Sequence, residues 1–169
     1  VIKRLYNYQE GLKVLDKALE YSREAEDSLS IAKWHELRSG YYYYLFEYDS
    51  SRAELNRGIR MLDLMDREEE KGNLILKSGV IEYALGNYEK AIKNAFAATE
   101  IFKKNNKEKQ LAIAYLQLGN IYYFLNSFNE AETFYKMAAA NFENSKDEHG
   151  YRSATSNIGL VQIEKGNYE

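Results

Sequence analysis

The chain has 169 residues, 45% hydrophobic and 14% aromatic, which is enough for a well-buried core. Its net charge of −3 comes from interleaved acids and bases, and that argues against nucleic acid, whose binding needs a concentrated basic surface. There is no cysteine for a disulfide or thiolate metal site, no proline to interrupt a helix, and no apolar run near the roughly 18–20 residues that cross a bilayer.

Taken in chain order, helices are predicted near 2–24, 28–45, 48–65, 68–85, 88–104, 108–125, 128–144 and 148–165. The second contains four consecutive tyrosines, Tyr41–Tyr44. Successive helical residues point about 100° apart, so at least one tyrosine packs inward and one or two look outward. The fourth opens on Glu68, Glu69 and Glu70, whose charge complements the N-terminal end of the macrodipole, and Lys103 and Lys104 close the fifth in the same way. In the sixth, Leu111, Ala114, Tyr115, Leu118 and Tyr122 trace an amphipathic stripe. "NSF" at 126–128 turns the chain into the seventh, which sets Ala131, Phe134, Tyr135 and Ala138 on one face. Polar joints such as "KKNNKEK" and "ENSKDEH" separate the pairs.

An offset of 40 brings the landmarks into register. Tyr8, Tyr48, Tyr88, Phe128 and Tyr168 form one column, and Ser39, Gly79, Gly119 and Gly159 a second. A third holds Ala18, Gly58, Ala98 and Ala138. Coincident columns at one period identify a repeat protein of two helices per unit. Gly119 is expected to let a neighbouring helix approach closely, which outweighs its ~1 kcal/mol propensity cost.

Tyr115-x-x-Leu118-Gly119-x-x-Tyr122, followed by Ala131-x-x-x-Tyr135 and Ala138, resembles the tetratricopeptide repeat, a helix–turn–helix of 34 residues. The glycine-to-alanine step recurs at 79→91 and 119→131. Departures are Glu82 and Gln162 in the column of Tyr122, Ala95 in place of an aromatic, and Arg38 in a usually apolar column. The resemblance implies an all-α solenoid of about eight helices with a right-handed superhelix. It is read as one array: a partial unit 1–24, units near 28–65, 68–104 and 108–144, and a partial unit 148–169. The six extra residues are expected to lengthen the outer helix ends, with longer, charged joints between units. The chain starts in a second-type helix and stops at the start of another, so it is read as part of a longer array. Ile158 and Val161 are then expected on a face that awaits a further helix.

In this family first-type helices line a concave groove. The register carries its ligand-facing positions onto Tyr43, Tyr44, Asn73, Lys77 and Tyr83, and onto Gln117, Asn120, Tyr123, Phe124 and Asn157. Amides can pair with a peptide's N–H and C=O, and tyrosines give stiff, half-polar contact area. The implied function is a protein- or peptide-binding scaffold module of a larger regulator, similar to bacterial sensor-regulators. The alternative is a self-associating array that forms homo-oligomers through uncapped ends. A clamp for acidic C-terminal tails is not expected: Asn120 and Asn157 match its asparagines, but Leu116 stands where it needs a lysine. No cofactor, metal or catalysis is expected either. There is no phosphate-binding glycine loop, no G-x-S-x-G and no nucleophile pair. His35 and His149 lack metal-ligand spacing and are expected at the surface or partly packed.

Overall fold

The computed structural model describes residues 2–166, with side-chain surroundings from Asn7 onward. Asn167, Tyr168 and Glu169, and with them the last member of the aromatic column, lie outside the described residues. Eight helices follow in order: α1 Ile2–Glu24, α2 Ser28–Tyr44, α3 Tyr48–Leu64, α4 Glu68–Ala84, α5 Tyr88–Lys104, α6 Glu108–Phe124, α7 Phe128–Asn144 and α8 Glu148–Glu164. No strand occurs among the described residues. Even-numbered helices are of the first type and odd-numbered helices of the second.

The helices end for a backbone reason that recurs every 20 residues. Glu26, Phe46, Asp66, Gly86, Asn106, Asn126, Lys146 and Gly166 all have positive φ, between 53° and 77°. Each puts one left-handed residue just past a helix, where it turns the chain and lets the next N–H reach back to a stranded carbonyl. Glu47 N–H donates to Tyr42 O, Ser127 N–H to Tyr122 O and Asp147 N–H to Phe142 O, each at 2.9 Å. The inter-unit joints are therefore no longer than the turns within units: all have three residues, and most of "KKNNKEK" is helical. The added length lies wholly in the helices, seven of which have 17 residues. Tyr48, Tyr88 and Phe128 each open a second-type helix, whereas Tyr8 lies inside α1.

The chain divides into two compact units, residues 1–85 with α1–α4 and residues 86–169 with α5–α8. In the first, α1 packs on α2, α2 on α3 and α3 on α4. Its apolar core is Ala32, Leu55, Leu62, Leu74 and Ile81. Six polar residues are buried beside it: His35, Ser39, Ser51, Glu54, Ser78 and Glu82. His35 is thus not at the surface, because its ring is turned onto the Glu54 carboxylate at 2.7 Å.

In the second unit α5, α6, α7 and α8 pack in succession, and α6 also touches α8. Thr99 is the only buried polar side chain among its described residues. A Cβ on Gly119 would lie 2.5 Å from ring carbons of Tyr135, so the absence of a side chain is what admits that ring. Val161 is fully buried with Ala131 and Tyr135, against the expectation that it faces outward. Gly159 does leave open space, with nothing within 4 Å of a Cβ built on it.

Candidate functional site

Each first-type helix has one stripe, at i, i+4, i+7 and i+11, that its hairpin partner does not cover. In the first unit it comprises Lys33, Leu37, Gly40 and Tyr44 on α2, and Asn73, Lys77, Val80 and Ala84 on α4. In the second it comprises Ile113, Gln117, Asn120 and Phe124 on α6, and Ser153, Asn157, Leu160 and Glu164 on α8. None of these is buried. The spacing keeps them on one face of a 3.6-residue helix.

In the first unit Lys77 Nζ pairs with Glu36 Oε1 across α2 and α4 at 2.5 Å. Asn73 lines a small cleft of about 80 Å³ with Leu29, Lys33, Glu36 and Glu70. Tyr43 fills structure as much as it faces outward, since it packs on the apolar core and its ring centroid lies 5.6 Å from that of Tyr48. Tyr44 is exposed and stacks on Tyr8 at 5.1 Å. Of the four consecutive tyrosines, one is therefore exposed and three are half-buried. Tyr83 is half-buried on α4.

In the second unit the two asparagines meet. Tyr135 OH donates to Asn120 Oδ1 at 2.9 Å, and Asn157 Nδ2 donates to the same oxygen at 3.4 Å, a long and weak bond. Asn120 Nδ2 and Asn157 Oδ1 have no partner among the described residues. The pair thus leaves the Asn120 N–H₂ and the Asn157 carbonyl unused. Tyr123 OH donates to Glu164 Oε1 at 3.3 Å. Desolvation, then the Glu164 charge, holds this phenol above its ordinary pKa. Phe124 is exposed and lies 5.1 Å from Tyr88, and Gln117 is half-buried.

The register located the amides and tyrosines but passed over the apolar members of the same columns. Leu37, Val80, Ile113 and Leu160 are exposed by 36–50%. Reading the four columns on every first-type helix for any large side chain would have found them. Among the described residues no group of three or more His, Asp or Glu could hold a metal ion, and no helix is long and apolar enough to cross a membrane.

Paired helices with a close crossing at Gly119, and an uncovered stripe on alternate helices, now stand beside one further observation. Residues 73–144 match the family model described as tetratricopeptide repeat. This segment is a run of tetratricopeptide repeats. Solved structures extend the likeness of fold over the rest of the chain. BtubC from P. vanneervenii superposes with a TM-score of 0.85 at 18% identity, covering 95% of this chain and 67% of that one. A signal transduction ATPase with numerous domains and a tetratricopeptide repeat sensor, from Pyrococcus horikoshii, gives 0.82 at 21%, covering 95% and 25%. Aspartyl phosphate phosphatase F from Bacillus subtilis gives 0.77 at 18%, covering 94% and 43%. The chain therefore spans less than half of the last two proteins. No curated protein sequence matches it. The fold is an all-α tetratricopeptide-type helical-hairpin solenoid.

Proposed function

We propose that this tetratricopeptide-repeat chain holds a segment of another polypeptide against its first-type helices, as one module of a larger regulator. The observation that carries the reading is the uncovered stripe of α6 and α8. There the free Asn120 N–H₂ and the free Asn157 carbonyl match the C=O and N–H of one peptide group. Ile113, Phe124 and Leu160 flank that pair with exposed apolar area, the usual anchor for a bound side chain. The stripe contains Glu164 and no cation, so the partner it suits is apolar and neutral to basic. The sensor named in the Pyrococcus protein is itself a tetratricopeptide repeat, which supports a sensing or regulatory role.

The test begins with a partner captured on the wild-type chain and titrated against variants. Asn157→Ala should weaken binding by roughly two- to tenfold, the worth of about 0.5–1.5 kcal/mol for a neutral hydrogen bond. Affinity should change little between low and moderate salt, because the matched groups are uncharged. Asn129→Ala, on an exposed face of α7, should leave affinity unchanged. Equal losses from both variants would remove the stripe from the reading. Self-association is the second reading, and it is favoured by the exposure of Val14, Leu160 and Ile163 at 50–67%. Mass measured by light scattering through a dilution series separates the two. A binding module stays monomeric, and an assembling array dissociates.

A further inference from the structure

Phe46 is badly placed for the fold in two ways at once. Its φ is 63°, in the left-handed region that bulky side chains avoid. The register puts Gly86, Asn126 and Gly166 at the equivalent turns, which are the residues that tolerate this conformation. A bulky residue there is normally held by packing of its side chain, yet Phe46 is 72% exposed. Its ring meets Tyr48 edge-on, with centroids 6.3 Å apart. Among the eight left-handed positions this one alone is aromatic.

Phe46 is also the end of a ladder of rings. Tyr48 lies 5.6 Å from Tyr43, Tyr43 lies 5.6 Å from Tyr44, and Tyr44 stacks on Tyr8 at 5.1 Å and 8°. The ladder opens to solvent at Phe46 and again at Tyr44, which is 53% exposed. Beside it stands Glu47, exposed, whose carboxylate accepts from Ser50 and meets no cation among the described residues. Asp49 follows and is neutralised by Arg52 at 2.6 Å. Electron-rich ring faces next to an unneutralised carboxylate attract a guanidinium or ammonium group. The chain already contains the same chemistry internally, with Arg38 centred 5.9 Å from the Tyr42 ring.

We propose that the aromatic ladder ending in Phe46, together with Glu47, is a second contact surface that takes an arginine or lysine side chain from a basic polypeptide segment. This goes beyond the stripe on the first-type helices: the ladder shares Tyr44 with the stripe of α2, but Phe46 and Glu47 lie in the α2–α3 turn and off it. A residue retained against backbone preference, with its side chain in water, is accounted for when the contact is made by another molecule.

The experiment uses the whole chain and two labelled short peptides of alanine and leucine. One has arginine at every third position and the other glutamine. The arginine peptide should bind at least about tenfold more tightly, as anisotropy would read. Phe46→Gly should weaken it roughly tenfold and also raise the melting midpoint by roughly 2–4 °C, since glycine relieves the left-handed strain. Glu47→Gln should weaken binding by a smaller factor, and Asn129→Ala, on an exposed face of α7, should leave it unchanged. Absence of arginine-peptide binding, or equal binding of the glutamine peptide, overturns the proposal. So does a lowered midpoint for Phe46→Gly, or unchanged affinity in that variant. An equal loss from Asn157→Ala assigns the peptide to the stripe and overturns it as well.

Discussion

At position 54 a glutamate occupies the place that the 40-residue register gives to Phe134, and its neighbours have changed with it. His35, Arg38 and Glu54 correspond to Tyr115, Leu118 and Phe134, eighty residues on. In the second unit these are apolar: Tyr115 stacks on Phe134 at 6.2 Å, and Leu118 is fully buried. In the first unit Glu54 Oε2 lies 2.7 Å from His35 Nδ1 and 3.8 Å from Arg38 Nε, and Oε1 lies 2.5 Å from Arg57 Nη1. Arg38 Nε is buried and makes no hydrogen bond, so this pair is ionic in character. A buried ion cluster stabilises little in net terms, because desolvation offsets its attraction, but removing one member strands the others. Glu54→Phe alone should therefore destabilise the chain by roughly 3 kcal/mol in urea unfolding. Replacing His35, Arg38 and Glu54 together by Tyr, Leu and Phe should recover wild-type stability or exceed it. Arg57 and Asp16, more than half exposed, can then turn to water. A triple variant no more stable than Glu54→Phe would show that the first unit cannot accept the apolar version of this core.

At the scale of elements, the 20-residue spacing of left-handed turns sets every helix length, and that spacing makes a direct test available. Lys146 holds φ 56° with an exposed side chain, at a position where Gly86 and Gly166 serve elsewhere. Lys146→Gly should stabilise the chain by about 0.5–1 kcal/mol, read as a higher melting midpoint. A lower midpoint would mean that the lysine stem contributes packing that outweighs the strain. Helix positions were legible because apolar periodicity and the glycine and alanine columns repeat so regularly. The equality of the joints was not legible. Glu26, Asp66, Asn106 and Lys146 are polar residues that look like either loop or helix end, and only backbone hydrogen bonds distinguish the two. Helix N-termini are equally quiet: Asp27 and Asp147 accept bonds from Ser30 and Gly150, while Glu47, Arg67, Asn87, Lys107 and Ser127 make no side-chain cap.

For the molecule as a whole, the two units are built on one pattern with different chemistry inside. The candidate stripe was partly legible, since its amides stand out in the register. The buried cluster was not: a helix pattern leaves His35 at the surface or partly packed, and does not show that Glu54, 19 residues on, turns toward it. The difference should appear when pH falls. Desolvation is the largest influence on Glu54 and pushes its pKa up, but the His35 hydrogen bond and the charges of Arg38, His35 and Arg57 outweigh it, leaving the group below its ordinary 4.5. A depressed folded-state pKa contributes stability that is complete above the unfolded value and is lost as pH falls through the folded one. Once Glu54 is protonated, Arg38 and Arg57 lose the carboxylate they share, and Arg38 keeps only the more exposed Asp16. In the second unit Glu132 and Asp147 are lowered too, Glu132 by Lys136 and Lys165 and Asp147 by the Gly150 N–H and Lys109. Those carboxylates are half-buried and face lysines that reach solvent, so their pairs contribute less to stability than the buried cluster. Acidification below the ordinary carboxylate range should therefore open the first unit before the second. Hydrogen-exchange protection factors, corrected for intrinsic rates, should fall in α2 and α3 at a higher pH than in α6 and α7. Loss of protection in both units at the same pH, or in the second unit first, would show that the buried carboxylate does not govern acid stability.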